Sequence, residues 1–390
     1  MPNDRESRRI AQEQVVTALA RHTSYLHRAS TAQVNAITKA IESLSTDMTR
    51  EVADRLDNLT PAELSAFSRG RYTTDRLKGL RNVIDGWAVK MGSTLNEMAL
   101  GGFKELAGHE AEFARTLLSE SIEGTLPAAP TAAAAYASAV AKPVLGEMVE
   151  DMLADIPERA KRQVYSRIRQ GISQGETNYQ IIRALRGTKA LNYKDGVLQT
   201  SRNDVERVVR TARSHVSTTA YEDTYSALGV EEVVWVASLE LRTCKRCAPL
   251  DGRRFRLSEP HPRPALHPNC RCTLAPSFNG EIMGKRPYVR AMKVKGRDGE
   301  SKYRSIGNMT AKQREAAGLE VGQVSANTTF SDWFANQGAA YQREWLGDKR
   351  YQLYKKKDYS LERFVDPIKG ELTLDQLRQR DRETFAELFG

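Results

Sequence analysis

The feature that most constrains the fold is a long stripe of apolar residues near the start of the chain. Its members recur in steps of three and four: Val34, Ile37, Ile41, Leu44, Met48, Val52, Leu56 and Leu59. This spacing is typical of one amphipathic helix of about eight turns with a single apolar face. Because such a face must be buried against another element, we expect paired helices in this part of the chain.

The helical pattern continues beyond the stripe. Thr60, Pro61 and Glu63 are typical of a helix start, in which Thr60 caps free amides and Glu63 bonds back to the cap. Pro61 suits the first helical position, where no amide hydrogen is needed. Further helical patterns follow over most of 76–123, so residues 1–125 are predicted to form an all-α helical arm.

An Ala- and Pro-rich segment, 126–143, follows the arm. Pro127 and Pro130 break any helix that continues from the arm, which favours a linker. Alanine is also the strongest helix former, and Pro130 suits a helix entrance. A loop that leads into an Ala-rich helix is therefore the alternative interpretation.

The net charge of +10 is unevenly distributed along the chain. Residues 1–158 carry −5, residues 159–304 carry +15, and residues 305–390 carry no net charge. A basic centre favours a polyanionic partner, and nucleic acid is the usual candidate. A cationic surface that only confers solubility is the alternative.

Arginines dominate the first part of this basic centre. A helix is predicted over 201–228, where arginines flank apolar residues, so one face can be buried while another offers guanidinium groups to phosphates or partner carboxylates. A solvated basic face is the alternative. The candidate nucleic-acid contacts are Arg183, Arg186, Arg202, Arg207, Arg210 and Arg213.

All four cysteines lie within 29 positions, after a predicted strand at 232–239. Cys244 and Cys247 form a CxxC knuckle, and His267, Cys270 and Cys272 follow in a second turn. These are five candidate ligands, one more than a tetrahedral zinc ion accepts. The four cysteines form one possible set. The other replaces Cys272 with His267, and the HxxC spacing favours it because it mirrors the knuckle. Four protein ligands make a structural site, so structural zinc is the predicted cofactor.

Three other interpretations of the Cys/His cluster remain open. Paired disulfides need an oxidising compartment, yet the charged start of the chain has no signal-peptide pattern, and no apolar run is long enough to span a membrane. The segment 267–270 superficially resembles an HNH nuclease, but no further His follows His267 to complete such a site. An enzyme acting on DNA would instead use Asp251, His261, His267 and Asn269 near a metal. A zinc-ribbon protein that binds DNA is the third possibility.

Several motifs occur in a specific order through the centre of the chain. A helix ending in Gly229-Val230 is followed by a strand with Trp235, the RTCxxC motif at 242–247, LDG at 250–252 and HPNCRC at 267–272. Over roughly 150–276 this order resembles the phage Mu F-like minor head protein family, also called phage head morphogenesis proteins. A stretch from 329 to 377 is similar to the tail common in such proteins.

The resemblance implies a virion protein of a tailed phage, located near the portal inside the head. It implies a role in head assembly, DNA packaging or DNA delivery, and no established enzymatic activity. The implied partners are the portal protein, packaged double-stranded DNA, and a major capsid or scaffold protein, with host cytoplasm as the place of assembly. No membrane partner is expected.

These patterns together predict a mainly α fold with a small α+β centre. In the C-terminal part, three short helices are expected around Trp333, from Gln342 to Lys355 and after Thr373, with aromatic side chains as their shared core. The predicted organisation is a helical arm at 1–125, a linker at 126–143, a Mu F-like core at 144–276, a basic strand or loop connector at 277–327 and a short helical tail at 328–390.

Overall fold

The computed structural model describes residues 4–119, 126–191, 193–277, 285–291, 293–295, 301–303, 310–316, 319–366 and 370–390. The described chain is mainly helical, with short antiparallel strands in its middle. The predicted fold class is therefore confirmed. Parts of the predicted connector at 277–327, and the end of the predicted helical pattern near 123, lie outside the described residues.

A helical bundle occupies the first half of the chain. Its helices are α1 (Asp4–Asp57), α2 (Pro61–Ser68), α3 (Asp75–Leu118), α4 (Ala132–Val140), α5 (Val149–Ser173), α6 (Asn178–Arg186) and α7 (Gln199–Ala227), with a 3-10 turn at Lys189–Leu191. The apolar stripe lies on α1 and packs into one continuous core with Ile84 and Trp87 of α3. The helix itself begins at Asp4, well before the stripe.

Local signals fix the starts of several of these helices. Thr60 accepts a hydrogen bond from the Glu63 amide, and the Glu63 carboxylate accepts one from the Thr60 amide, which confirms the predicted capping box. The Ala-rich segment forms α4, whose cap is Thr131, and buries Ala135 and Ala139 in the bundle core. The division of the chain into five regions stays a prediction.

A three-stranded antiparallel sheet follows the bundle. It consists of β1 (Glu232–Val236), β2 (Arg254–Arg256) and β3 (Thr273–Ser277), in the order β2-β1-β3. The central strand β1 buries Val233, Val234 and Trp235, which is the predicted β-branched segment. Val234 lies opposite Ala275 in β3, and this register brings the loops at the ends of both strands together.

Short elements complete the chain. The strands are β4 (Lys285–Arg290) paired with β7 (Glu320–Ser325), β5 (Lys293–Lys295) with β6 (Ser301–Tyr303), and β8 (Val365–Asp366) with β9 (Gly370–Glu371). The helices are α8 (Ala311–Ala316), α9 (Phe330–Ala335), α10 (Ala339–Leu346), α11 (Asp348–Lys356), α12 (Leu374–Arg380) and α13 (Arg382–Phe389), with a 3-10 turn at Leu361–Phe364.

The C-terminal helices share an aromatic core, as predicted, which includes Phe330, Trp333 and Trp345. The predicted cap at Thr373 is also confirmed. The prediction of one helix from Gln342 to Lys355 is wrong, because the helix is interrupted at Gly347. That residue has φ +75° and ψ 159°, a conformation open in practice to glycine alone, so it separates α10 from α11.

Candidate metal centre

A tight turn after β1 positions the first two cysteines. The Cys247 amide donates to the Cys244 carbonyl at 3.1 Å and to the Cys244 Sγ at 3.3 Å. The Thr243 hydroxyl donates to the Ser238 carbonyl and fixes the approach to the turn. Cys247 is buried and Cys244 is partly exposed. Both thiols therefore face the same side of the knuckle.

A second turn, which leads directly into β3, presents the other candidate ligands. The Cys270 amide donates to the His267 carbonyl at 3.2 Å, and Asn269 adopts a left-handed conformation with φ +60° that tightens the turn. Cys272 immediately precedes β3 and is buried, like Cys270. Because β3 pairs with β1, this turn lies against the knuckle.

The structure brings all five predicted ligands into one cluster. The ligand atoms of Cys244, Cys247 and His267 lie within 4.8 Å of one another, as do those of Cys247, Cys270 and Cys272. The Cys247 and Cys270 sulfurs are 3.9 Å apart, close to the separation of about 3.8 Å that two thiolates have on a tetrahedral zinc ion. A disulfide requires about 2 Å, and all four cysteines are free. The donor set therefore fits a thiolate-binding metal, and the choice of four ligands stays a prediction.

The imidazole of His267 is oriented by its own turn. Its Nδ1 donates to the Pro268 carbonyl at 2.8 Å, so the second ring nitrogen is left to face the thiols. Burial disfavours the protonated ring, yet the neighbouring Cys244 and Cys270 thiols raise the pKa of His267 to about 10. The hydrogen bond from Cys247 lowers the pKa of Cys244 to about 5. Neighbouring thiols raise the pKa of Cys247, in contrast. Because the ligand forms are thiolate and neutral imidazole, a metal bound here would displace protons from His267 and from part of the thiols.

The centre lies in the core that the sheet shares with α7, and the C-terminal helices contact it. Cys247, Cys270 and Cys272 belong to the core formed with Trp235 of β1 and Tyr221 of α7. The C-terminal helices reach the knuckle as well, because the Trp345 indole donates to the Thr243 carbonyl at 2.8 Å and Lys245 contacts Glu371 at 3.3 Å. A metal here would fasten the bundle, the sheet and the tail to one another.

Asp251 of the LDG motif has a structural role that its sequence position does not reveal. Its carboxylate is fully buried and contacts the Arg286 guanidinium at 2.8 Å. It also accepts hydrogen bonds from the amides of Ala237 at 2.7 Å and Phe330 at 2.6 Å. Asp251 thus joins β1, β4 and the first helix of the tail. The LDG motif after the knuckle is the available signal, but its partners lie 35 and 79 residues further along the chain.

The predicted nucleic-acid contacts fall into two groups. Arg183 and Arg186 are exposed on α6. The four on α7 have partners within the chain, namely Glu42 for Arg202, Asp204 for Arg207, Glu206 for Arg210 and Gln33 for Arg213. Two of these partners, Glu42 and Gln33, lie on α1. Contact with nucleic acid stays a prediction for all six.

The side chains considered for a nuclease also have partners in the chain. Asp251 is buried against Arg286, and His261 contacts Glu222 at 3.1 Å. His267 faces the thiols, as described above, and Asn269 is exposed in its turn. Asp251 and His261 are thus engaged with charged side chains of the same chain.

The fold and this cluster define a mainly helical protein whose centre contains a Cys/His cluster that could hold a metal ion. Residues 162–275, which run from α5 to β3 and include all five candidate ligands, match the family described as Phage Mu protein F like protein. Over this segment the chain is similar to the Mu F-like family. Comparisons with curated proteins and with solved structures gave no significant match. Among the described helices, none has both the length and the apolar composition of a membrane span.

Proposed function

We propose that the protein is a minor structural component of a tailed-phage head, associated with the portal inside the capsid and needed for head assembly, DNA packaging or DNA delivery. The observation that carries this proposal is the family match over 162–275, because that segment contains both the metal cluster and α7. Assembly takes place in the host cytoplasm, and the mature location is the virion.

The proposed cofactor is zinc, held by Cys244, Cys247 and Cys270 with either His267 or Cys272. Support comes from the free, mutually close thiols and from the sulfur separation described above. The sheet has three strands of three to five residues, so a bound metal would add stability to a small element. The zinc is structural in this proposal, and no catalytic role is assigned to it.

Contact with packaged double-stranded DNA is proposed for the basic centre, which has a net charge of +15 over 159–304. The exposed Arg183 and Arg186 on α6 are the most accessible of the candidate contacts. Residues 1–158, in contrast, have a net charge of −5, and the helical arm within them is the proposed surface for protein partners such as the portal, or a major capsid or scaffold protein.

The location of the protein in purified phage particles tests this proposal. Quantitative mass spectrometry of intact particles, of particles emptied of DNA and of isolated portals should find a few copies per particle that stay with the portal fraction. Recovery from the soluble fraction of infected cells alone, with none in particles, would refute the virion assignment. Particles from a phage that carries Cys244→Ser should contain less of the protein, whereas Ser258→Ala, at an exposed position outside the cluster, serves as the control.

A further inference from the structure

A polar cleft lies between α1, α7 and the turn that carries Cys270 and Cys272. Two adjoining cavities of about 70 Å³ and 270 Å³ form it. They share the side chains of Thr23, His27, Arg271 and Thr273, so they lie side by side. One water needs roughly 10–15 Å³ of such space, and even the smaller cavity therefore has room for several water-sized groups.

The walls of the cleft are rich in guanidinium groups. Arg210 and Arg213 of α7 line the smaller cavity, and Arg271 lines both. Arg210 contacts Glu206 at 2.9 Å, and Arg271 contacts Glu240 at 3.2 Å, while that same Glu240 also contacts Arg242. The Glu240 carboxylate thus pairs with two guanidinium groups, so the cleft has more positive than negative charge.

Arg213 is the group that best defines the cleft. In the described part of the chain its guanidinium contacts the neutral amide oxygen of Gln33 at 2.6 Å and no carboxylate. Glu110 attracts it from a greater distance, but that carboxylate is already bonded to His22, His109 and Tyr221. Burying a cation without a paired anion is costly, so the guanidinium is poised for an anion from outside the chain.

Hydroxyl groups and a neutral imidazole complete the lining. Ser30, Ser214, Ser217 and Thr218 surround the smaller cavity and can donate to an oxyanion. Burial, together with the neighbouring Arg210, Arg271 and Arg242, lowers the pKa of His27 to about 4. Guanidinium forks combined with hydroxyl donors match the oxygens of a tetrahedral anion, which offers acceptors in several directions.

We infer that this cleft binds a phosphate group, held by Arg213 and Arg210 beside the metal-binding turn. The same group can come from free phosphate or from the end of a nucleic-acid strand, since both present the same oxygens. Bound phosphate would link α1 and α7 to the turn that carries Cys270, and so would connect the helical bundle to the metal centre. The opposing explanation is that these arginines only balance the charge of the thiolates.

The test is a titration of the full-length, zinc-loaded protein with sodium phosphate, against sodium chloride at equal ionic strength, followed by isothermal calorimetry and thermal unfolding. We expect saturable heat and a saturable rise in Tm at low millimolar phosphate. Arg213→Gln should weaken phosphate affinity at least tenfold, while Arg115→Gln, the same charge change at an arginine of α3 that pairs with Glu112 outside the cleft, should leave it unchanged. Arg210→Gln is the second variant if Arg213→Gln does not fold.

Two results would overturn the inference. No saturable response of the native protein to phosphate would leave the arginines as counter-charges for the thiolates. An equal response in the native protein and in Arg213→Gln would place the phosphate elsewhere. A DNA oligonucleotide with and without a 5′-phosphate separates the two sources, because only a strand-end site distinguishes these oligonucleotides, whereas a site for free phosphate responds to neither.

Discussion

Replacement of Asp251 by alanine gives the sharpest test of how the centre is held together. The side chains of Asp251 and Arg286 are 0% and 4% exposed, so the substitution leaves a buried guanidinium without its carboxylate. It also removes the acceptor for the Ala237 and Phe330 amides. Breaking one partner of a buried ion pair typically costs about 3–5 kcal/mol, and each stranded amide adds about 1–3 kcal/mol.

We therefore expect Asp251→Ala to lower the free energy of unfolding by at least about 4 kcal/mol. Urea unfolding followed by tryptophan fluorescence is a suitable assay, because Trp333 and Trp345 lie in the tail core beside the Phe330 helix that Asp251 anchors. Asp75→Ala is the matched control, since Asp75 pairs with Lys78 on an exposed helix surface and its loss should change little.

A double variant separates the ion pair from general damage. If the unpaired guanidinium causes most of the loss, Asp251→Ala combined with Arg286→Met should be more stable than Asp251→Ala alone, because the buried charge is gone. A loss below about 1 kcal/mol for Asp251→Ala, or a double variant that loses the full sum of both single changes, would refute the reasoning.

Three further predictions concern the metal, the pH dependence and the backbone. His267→Ala and Cys272→Ser identify the fourth ligand. The variant that alters a true ligand should lose its bound zinc, measured by mass spectrometry, and should melt at a lower temperature. Retention of zinc by both variants would contradict the four-ligand site. The hydrogen bond that His261 donates to the Glu222 carboxylate raises the pKa of His261, so its stabilising contribution is present below the unfolded pKa of about 6.5 and is lost as pH rises through the folded value. The zinc-loaded native protein should therefore lose stability relative to His261→Gln as pH rises from about 6.5 through the raised folded pKa, and parallel pH profiles would contradict this. Gly347→Ala should lower the free energy of unfolding by about 1–3 kcal/mol, because Gly347 has a positive φ. Gly101→Ala, on the exposed face of α3, should raise it by about 0.5–1 kcal/mol. Changes of the same sign for both variants in denaturant unfolding would contradict this reasoning.

The parts of the fold that sequence reasoning predicts are those set by nearby residues. The steps of three and four in α1 fix its buried face, and the Thr60 and Thr373 caps need only a partner three residues away. The metal ligands are likewise found by spacing, because each turn holds its ligands within six positions. These patterns involve residues that are close in the sequence, so they can be recognised without knowledge of the folded structure.

The remaining features depend on contacts between distant segments. Trp345 reaches the Thr243 carbonyl across 102 residues, and Asp251 reaches Phe330 across 79, and neither pairing has a local signal. The arginines of α7 form a basic stripe in the sequence, yet Arg202 and Arg213 turn towards α1. Side-chain direction on a helix depends on what packs beside it, which the sequence of that helix does not contain.

The packing of α1 also sets an order for synthesis of the protein. Val15 and Leu19, near its beginning, lie in the same core as Leu274 of β3, more than 250 positions later. Ala114 and Leu118 of α3 belong to the same core, so on a ribosome that releases roughly 5–20 residues per second the α3 side of this core is made many seconds before the β3 side. The N-terminal turns of α1 can thus pack first against α3, and they keep part of their apolar surface uncovered until the sheet has been synthesised.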